Sequence, residues 1–350
     1  MRHFVSIDDL SNFEIQQIFR LADQMKSQLS TWSGFCAGKV LATLFFEPST
    51  RTRLSFESAM ARLDGRTLGF ADPSASSVAK GETLADTARM VSNYADLIVV
   101  RHSAAGAARA MAKYATVPVI NGGDGAHSHP TQALIDLYTI QNRKGNLADL
   151  TIGICGDLLY SRSAHSLSKV VARFGGGQIH VAPEGFQMPD WILRQLKDRH
   201  GIQPSVHHHL PEIIEKMDVI YVNRLQEERL PPEVDLEKAR ASYQLNAEIM
   251  TGAKVDAMIM HPLPRVNELA YELDADPRAA YFQQSANGVP FRMALIASLQ
   301  GLEHLVLTDP PAQQTLKDDF ASVCQNPNCV TASEGSTEIY ADGSCAYCSQ

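Results

Sequence analysis

Apolar and polar positions follow two alternating rhythms along this chain. Short runs rich in Val, Ile and Leu alternate with longer stretches whose apolar residues recur at three- and four-residue spacing, the signatures of buried strands and amphipathic helices. The short runs predict strands at 39–46, Arg66–Phe70, 97–101 and 117–121. Between them the longer stretches predict helices over 8–26, after Ser6, then after the polar break Glu47-Pro48-Ser49-Thr50 to about Leu63, over 84–94 and over 104–114. After Gly122-Gly123-Asp124-Gly125 a helix is expected over 130–141, and a second series begins. Its strands are expected at 150–155, 178–182, Val219–Val222 and 257–260, and its helices at 163–174, 189–199 and 236–244. An apolar stretch at 291–299 reads as a helix able to return to the first series. Strands alternating with helices imply parallel sheets covered by helices. The expected fold class is therefore α/β: two domains, each with a mostly parallel sheet flanked by helices, plus a small C-terminal segment with four cysteines. The expected boundaries are 1–130, 131–290, a returning helix in 291–310 and a tail in 311–350.

Ligands of open parallel sheets bind beyond the C-terminal ends of the strands. Four polar clusters fall there: Ser49–Arg53, Arg101-His102, 156–162 and 261–265. Their shared location predicts one composite site. The first cluster, Glu47-Pro48-Ser49-Thr50-Arg51-Thr52-Arg53, passes from strand to helix. The first turn of a helix presents unpaired backbone N–H groups and a positive dipole end to an anion. Ser49, Thr50 and Thr52 add hydroxyl donors, and Arg51 or Arg53 adds a guanidinium able to grip phosphate in bidentate fashion. An ordinary capped helix with surface arginines is the plainer alternative; two arginines among three hydroxyls at a strand end weigh against it.

Composition narrows the classes. The chain has 350 residues, 45% hydrophobic and 20% charged, with a formal net charge of −8. That balance excludes a general nucleic-acid binder but leaves room for small anions in a locally cationic cleft. No apolar run is long enough to span a bilayer, and nothing near Met1 resembles a signal peptide, so a cytoplasmic setting without membrane or nucleic acid is expected. Cys36 and Cys155 stand alone in apolar surroundings and read as small core residues. The other four cysteines lie in the last 27 residues.

Three motifs carry a resemblance to a known family. Ser49-Thr50-Arg51-Thr52, His129-Pro130-Thr131-Gln132 and His261-Pro262-Leu263-Pro264-Arg265 resemble, in order and spacing, the signatures of the aspartate and ornithine carbamoyltransferases, over about residues 1–305. The resemblance implies transfer of the carbamoyl group of carbamoyl phosphate to the amine of aspartate, an early step of pyrimidine biosynthesis. It implies that Ser49, Thr50, Arg51 and Thr52 hold the phosphate, and that Arg101, His129 and Gln132 contact the carbamoyl end. Ser76 and Lys80 resemble a loop that enters a neighbouring subunit's site, with Ser77 adjacent to the trans-acting serine. Arg162, Arg224 and Gln226 resemble an aspartate-binding set. Pro262 and Leu263 resemble the segment whose backbone carbonyls receive the amine, with a cis Leu263-Pro264 bond. The first domain would then bind carbamoyl phosphate and the second aspartate. A homotrimer with shared active sites is implied, and larger assemblies with partner chains are common in the family.

The chemistry suits these residue types. An amine attacks a carbonyl, charge develops on its oxygen, and phosphate departs as an anion, so fixed positive groups are needed at both places. Arg101, Thr52 and His129 suit the carbonyl oxygen; Arg51, Lys80 and the helix end suit the phosphate. No cofactor and no covalent nucleophile are required. Neutral His129 would polarise the carbonyl as a donor rather than act as a base, the amine's proton passing to the phosphate; its plainer reading is a residue before a helix-starting proline. Arg162 and Arg224 match two carboxylates. Gly153-Ile154-Cys155-Gly156-Asp157 lacks the third glycine of a dinucleotide fingerprint. His207-His208-His209 reads as a solvated loop with weak metal-binding capacity.

In the tail, Cys324, Cys329, Cys345 and Cys348 read C-x4-C-x15-C-x2-C. Two thiolate pairs near the turns Asn326-Pro327 and Asp342-Gly343 predict a structural tetrahedral Zn2+ in preference to two disulfides. A nucleic-acid-binding ribbon fits poorly, because Lys317 is the only basic residue after Arg292. The spacing resembles the zinc-binding part of the family's separate regulatory chain, without its nucleotide-binding part, and suggests a clip against the chain itself or between trimers. Two rivals stand beside the aspartate reading. Ornithine carbamoyltransferase is disfavoured by Pro262 and by the absence of a Ser-Met-Gly signature. A non-catalytic scaffold held to a partner enzyme is disfavoured because every motif residue is present.

Overall fold

The computed structural model describes residues 1–72, 81–229, 236–301, 324–334, 338–340 and 343–350. The chain divides into two units, Met1–Thr131 with Gly288–Gln350, and Gln132–Asn287.

In the first unit the order is α1 (Asn12–Ser27), α2 (Leu29–Trp32), β1 (Val40–Phe45), α3 (Thr50–Arg62), β2 (Arg66–Phe70), α4 (Leu84–Val91), β3 (Leu97–His102), α5 (Ala107–Tyr114) and β4 (Val119–Asp124). Helix α6 (Pro130–Lys144) carries the chain from the first unit into the second. The second unit continues with β5 (Thr151–Cys155), α7 (Arg162–Arg173), β6 (Gly177–Val181), α8 (Asp190–His200), β7 (Ser205–His207), β8 (Val219–Val222), α9 (Leu236–Ala241) and β9 (Met258–Met260). Helix α10 (Tyr281–Leu299) returns it to the first, and α11 (Thr331–Glu334) lies in the tail.

Both sheets are parallel, in the orders β2-β1-β3-β4 and β7-β6-β5-β8-β9. Each is doubly wound. From β1 the chain goes to β2 on one side, while β3 takes the other; β5 sends the chain to β6 and pairs with β8 on its opposite edge. The loops after β1 and β3, and those after β5 and β8, therefore diverge at a topological switch point, where such sheets bind ligands. Continuous burial of Leu41–Phe45, of 97–100 and of Val219–Val222 explains why these strands read as unbroken apolar runs. Cys36 and Cys155 are buried free thiols within these cores.

Four local departures from the pattern have physical causes. The expected first helix is split: Ser6 caps a single turn, Ile7–Asp9, and Ser11 then opens α1 with Glu14 in a reciprocal capping box. Two serine-to-acid boxes in tandem make two starts. Strand β4 runs past Asn121 through Gly122-Gly123-Asp124, which read as a turn. Gly122 lies against the Val100 carbonyl, where a Cβ would sit 3.2 Å from the oxygen, so glycine here permits close strand approach. Helix α10 begins ahead of its expected start because Pro290 lies inside it. His207 belongs to edge strand β7, and His208 Nδ1 lies 2.9 Å from the Ala182 carbonyl, so the histidine run is partly paired rather than a free loop. Among the described residues, no helix is long and apolar enough to cross a membrane.

Candidate active site and cysteine cluster

In the first unit, α3 begins at the end of β1. Ser49 is its N-cap in extended conformation, and its side chain makes no capping bond, leaving the hydroxyl uncommitted to the helix. Thr50 and Arg51 are exposed, and Thr52 is buried. The two arginines separate: Arg53 Nε donates to Glu57 Oε1 at 2.7 Å along the helix, whereas Arg51 is exposed in the first turn. The Phe46 amide donates to the Arg101 carbonyl at 2.8 Å, tying the loop after β1 to the end of β3. Arg101 Nη1 donates to the Gly122 carbonyl at 3.2 Å, and its guanidinium lies 3.6 Å from Glu47. This fixes the fork against the strand ends.

His102 accepts the Ala104 amide on Nδ1 at 2.9 Å, and burial holds its pKa below the ordinary value. Both favour a neutral ring protonated on Nε2. His129 is buried beside Thr131, whose hydroxyl lies 3.4 Å from His129 Nδ1. The preceding loop is gathered by buried Asp124, which accepts from the Gly106 amide at 2.6 Å and from Asn121 Nδ2 at 3.0 Å. Ser76 and Lys80, with Ser77, lie outside the described residues.

The second unit brings Arg162, Arg224 and Gln226 to its switch point. Ser161 caps α7, accepting the Ala164 amide, so Arg162 stands in the first turn. Arg224 donates to the Leu225 carbonyl at 3.0 Å, and Gln226 follows. A buried carboxylate not foreseen from sequence joins these loops. Asp157 accepts from the Leu159 and Tyr160 amides at 3.0 and 2.9 Å and from the Gln226 amide at 3.0 Å. Burial raises its pKa against the opposing pull of those three bonds. The loop after β9 is held likewise. His261 lies 2.9 Å from Glu268 through Nε2 and accepts the Leu263 amide on Nδ1 at 2.8 Å. Burial pushes the Glu268 carboxyl up, but the bonds from His261 and the backbone outweigh it and hold the carboxyl below its usual range. The Leu263–Pro264 bond is cis, as the resemblance implies, and Leu263 has a φ of 54°. Arg265 is engaged by Asp274 in two bonds of 2.5 and 2.6 Å. Gln132 Nε2 donates to buried Asp136 at 2.7 Å. Asp136, Asp157, Glu268 and Gln284 are the polar residues that sequence reasoning passed over. Only Asp136 left a local signal, as an acid one helical turn beyond Gln132.

The tail cysteines meet. Their four sulfurs lie within 4.8 Å of one another, with Cys324 and Cys348 3.5 Å apart and Cys329 and Cys345 3.8 Å apart. Tetrahedral thiolates about 2.3 Å from a zinc ion stand roughly 3.8 Å apart, so the donor set fits such an ion. The cluster is docked on the first unit. The Ala105 amide donates to the Asn328 carbonyl, and the Val330 amide donates to the Ala105 carbonyl, both at 2.8 Å. Glu334 accepts the Leu84 amide at the start of α4 at 3.0 Å, and Arg109 donates to the Tyr340 hydroxyl at 2.7 Å. Cys329, Val330, Ala346 and Tyr347 share an apolar cluster with Leu84, Ala88, Ala108 and Met111. Gly106 has a φ of 84°, and a Cβ there would lie 2.6 Å from Tyr347 Cβ.

Two doubly wound sheets with polar loops at both switch points, and a helix N-terminus flanked by hydroxyls and arginines at one of them, define a two-unit α/β protein with an anion-receiving end. Residues 2–142 match the carbamoyl-P binding domain of the aspartate/ornithine carbamoyltransferases, and residues 148–299 match their Asp/Orn binding domain. The chain belongs to the aspartate/ornithine carbamoyltransferase family. An aspartate carbamoyltransferase catalytic subunit of Clostridium botulinum is 46% identical over 302 residues, covering 86% of this chain and 98% of that protein. The catalytic subunit of M. jannaschii aspartate transcarbamoylase is 42% identical, with a TM-score of 0.78 over 87% of this chain and 99% of its own. Aspartate transcarbamoylase from Trypanosoma cruzi, in complex with aspartate and phosphate, is 38% identical, with a TM-score of 0.78 over 85% and 94% of the two chains. The family match ends at residue 299, so the cysteine cluster lies beyond it.

Proposed function

We propose that the chain transfers the carbamoyl group of carbamoyl phosphate to L-aspartate, giving N-carbamoyl-L-aspartate and phosphate, in a cytoplasmic setting. The observation that carries this reading is the α3 N-terminus, with its uncapped Ser49 and with Arg51 beside it, at the switch point of the first sheet. In this reading the first unit binds carbamoyl phosphate and the second binds aspartate. Ser49, Thr50, Arg51 and Thr52 hold the phosphate; Arg101 and neutral His129 donate toward the carbonyl oxygen, and Gln132 contacts the carbamoyl amide. Arg162, Arg224 and Gln226 bind the two carboxylates of aspartate, and the Pro262 and Leu263 carbonyls accept its ammonium or amine hydrogens. Attack forms the C–N bond, the C–O bond to phosphate breaks, and the amine's proton leaves with the phosphate. Each fixed donor at the developing charge is worth about 10²–10³ in rate. The Trypanosoma cruzi aspartate transcarbamoylase in complex with carbamoyl phosphate and aspartate supports this substrate pair. The test is product formation with aspartate against ornithine; turnover of ornithine in preference to aspartate overturns the reading.

The proposed assembly is a homotrimer in which Ser76 and Lys80 serve a neighbouring site. Mixing inactive Arg51→Ala and Lys80→Ala chains would restore part of the activity if sites are shared, and none if they are not. The tail is proposed to hold one structural Zn2+ through Cys324, Cys329, Cys345 and Cys348, clipping the loop after β3 and the start of α4. The sulfur spacing and the docking contacts support it. The ion would supply cross-linking of two chain segments and no step of the transfer. With no nucleotide-binding portion beside it, the chain alone is expected to ignore ATP and CTP; a clear kinetic shift on titration with either defeats that expectation.

A further inference from the structure

Asp136 is fully buried on α6 and accepts hydrogen bonds from Gln132 Nε2 at 2.7 Å, from Gln284 Nε2 at 2.7 Å and from the Tyr221 hydroxyl at 2.8 Å. A carboxylate only accepts, so each glutamine must turn its NH2 toward it and its carbonyl oxygen away. Gln284 shows the consequence: its Oε1, turned outward, accepts the His261 amide at 3.0 Å at the head of the 261–265 loop. Gln132 obeys the same constraint, and its Oε1 is left as an acceptor.

We propose that Asp136 is a positioning residue that sets the amide orientation of Gln132, and that this orientation makes the site select a ligand carrying N–H donors beside its carbonyl. This rests on the reading of Gln132 as the carbamoyl contact. With the amide reversed, an NH2 group would face the NH2 of carbamoyl phosphate, donor against donor. With it held, Oε1 accepts that N–H. The discrimination is between carbamoyl phosphate and acetyl phosphate, which differ by NH2 against CH3 at one position and share the phosphate. Asp136 also holds the Gln284–His261 link, so one carboxylate orients both the glutamine and the loop.

The experiment measures binding of carbamoyl phosphate, acetyl phosphate and inorganic phosphate to the full chain and its variants. Asp136→Ala, which removes the acceptor holding the Gln132 NH2 and leaves that amide free to turn, is expected to weaken carbamoyl phosphate about tenfold, the scale of one buried hydrogen bond. Acetyl phosphate and inorganic phosphate should stay within about twofold, so the preference for carbamoyl over acetyl collapses. Asp136→Ser, whose side chain is too short to hold the Gln132 NH2, provides a second route should Asp136→Ala fail to fold, and is expected to show the same collapse. Tyr221→Phe removes the third donor but leaves both glutamines oriented, and should keep the preference. An unchanged preference in Asp136→Ala or Asp136→Ser, or an equal loss for all three ligands, overturns the proposal. Gln132→Ala separates the two levels: wild-type discrimination there sinks the carbamoyl-contact reading itself, whereas lost discrimination in Gln132→Ala with wild-type behaviour in Asp136→Ala sinks only the orienting role.

Discussion

The loop after β1 in the first unit and the loops after β5, β8 and β9 in the second are finished in opposite ways, although buried Asp124 gathers the loop after β4 as well. In the first unit the loop after β1 opens directly onto an uncapped helix start, with Thr50 and Arg51 exposed and Arg101 resting on backbone. In the second, buried acids hold these loops: Asp157 joins those after β5 and β8, and Glu268 holds the one after β9, while Asp136 lies under Gln132 on α6. Under the proposed function, the difference follows from what each end would recognise. A phosphate is a diffuse anion that many donors satisfy, and a helix end with unpaired N–H groups is already complementary to it. Delivering an amine to a carbon, and gripping two carboxylates at fixed separation, demand loops held to a fraction of an ångström. Buried carboxylates bound by several N–H groups supply that rigidity.

The sharpest way to break this contrast is Arg51→Ala. Exposed and outside the core, Arg51 should leave the melting temperature nearly unchanged while turnover falls about 10²–10³-fold; steady-state kinetics with near-wild-type activity would remove the anion role from this helix end. Next is Asp157→Asn. One face of the new amide would confront a backbone N–H, at a cost of roughly 1–3 kcal/mol. Urea unfolding should show that loss, and the KM for aspartate should rise about tenfold with the KM for carbamoyl phosphate little moved. Equal rises in both would mean that Asp157 acts on the whole fold and not on its loops.

The tail probes the first unit. Chelation, or Cys345→Ser, should release zinc, lower the unfolding temperature and leave the rate of transfer within about threefold, since a structural ion contributes folding energy and no chemistry. Loss of catalysis with the oligomer intact would contradict a structural role. Gly106→Ala should undock the tail by strain at a positive φ and by collision with Tyr347, at a cost of about 1–2 kcal/mol; limited proteolysis of the tail reads it.

The smallest effect is a pH dependence. Burial pushes the His180 imidazole down to about 3, with Ser168 and Gln178 as its neighbours. Below pH 6.5 the unfolded chain takes up a proton that the folded chain refuses, so stability from this group is complete above that pH and drains as pH falls toward the folded value. From pH 7 to 5 the loss is about 2 kcal/mol at most, read as a shift of the urea midpoint, and His180→Gln should flatten that slope.

Much was legible in the sequence. Strand and helix periods marked nearly every element, because burial on one or both faces imposes them on the residue order. The motifs 49–52, 129–132 and 261–265 each showed residue types suited to anions at a strand end. The cysteine spacing anticipated a cluster that the fold does assemble. What went unseen were β4 continuing through two glycines, β7, and the buried acids. Asp157 meets Gln226 across 69 residues and Asp136 meets Gln284 across 148; nothing local in either segment reports such a partner.

Residue order alone determined the α/β class, the parallel sheets and the kind of chemistry, because periodicity and short motifs are properties of neighbouring residues. Tertiary structure alone decided that Gln284 and Tyr221 meet Asp136, that Asp157 ties the loop after β5 to Gln226, and that the cysteine cluster sits on the loop after β3 of its own unit. Those are choices among hydrogen-bond partners, and a partner exists only once distant segments have been brought within about 3 Å of each other.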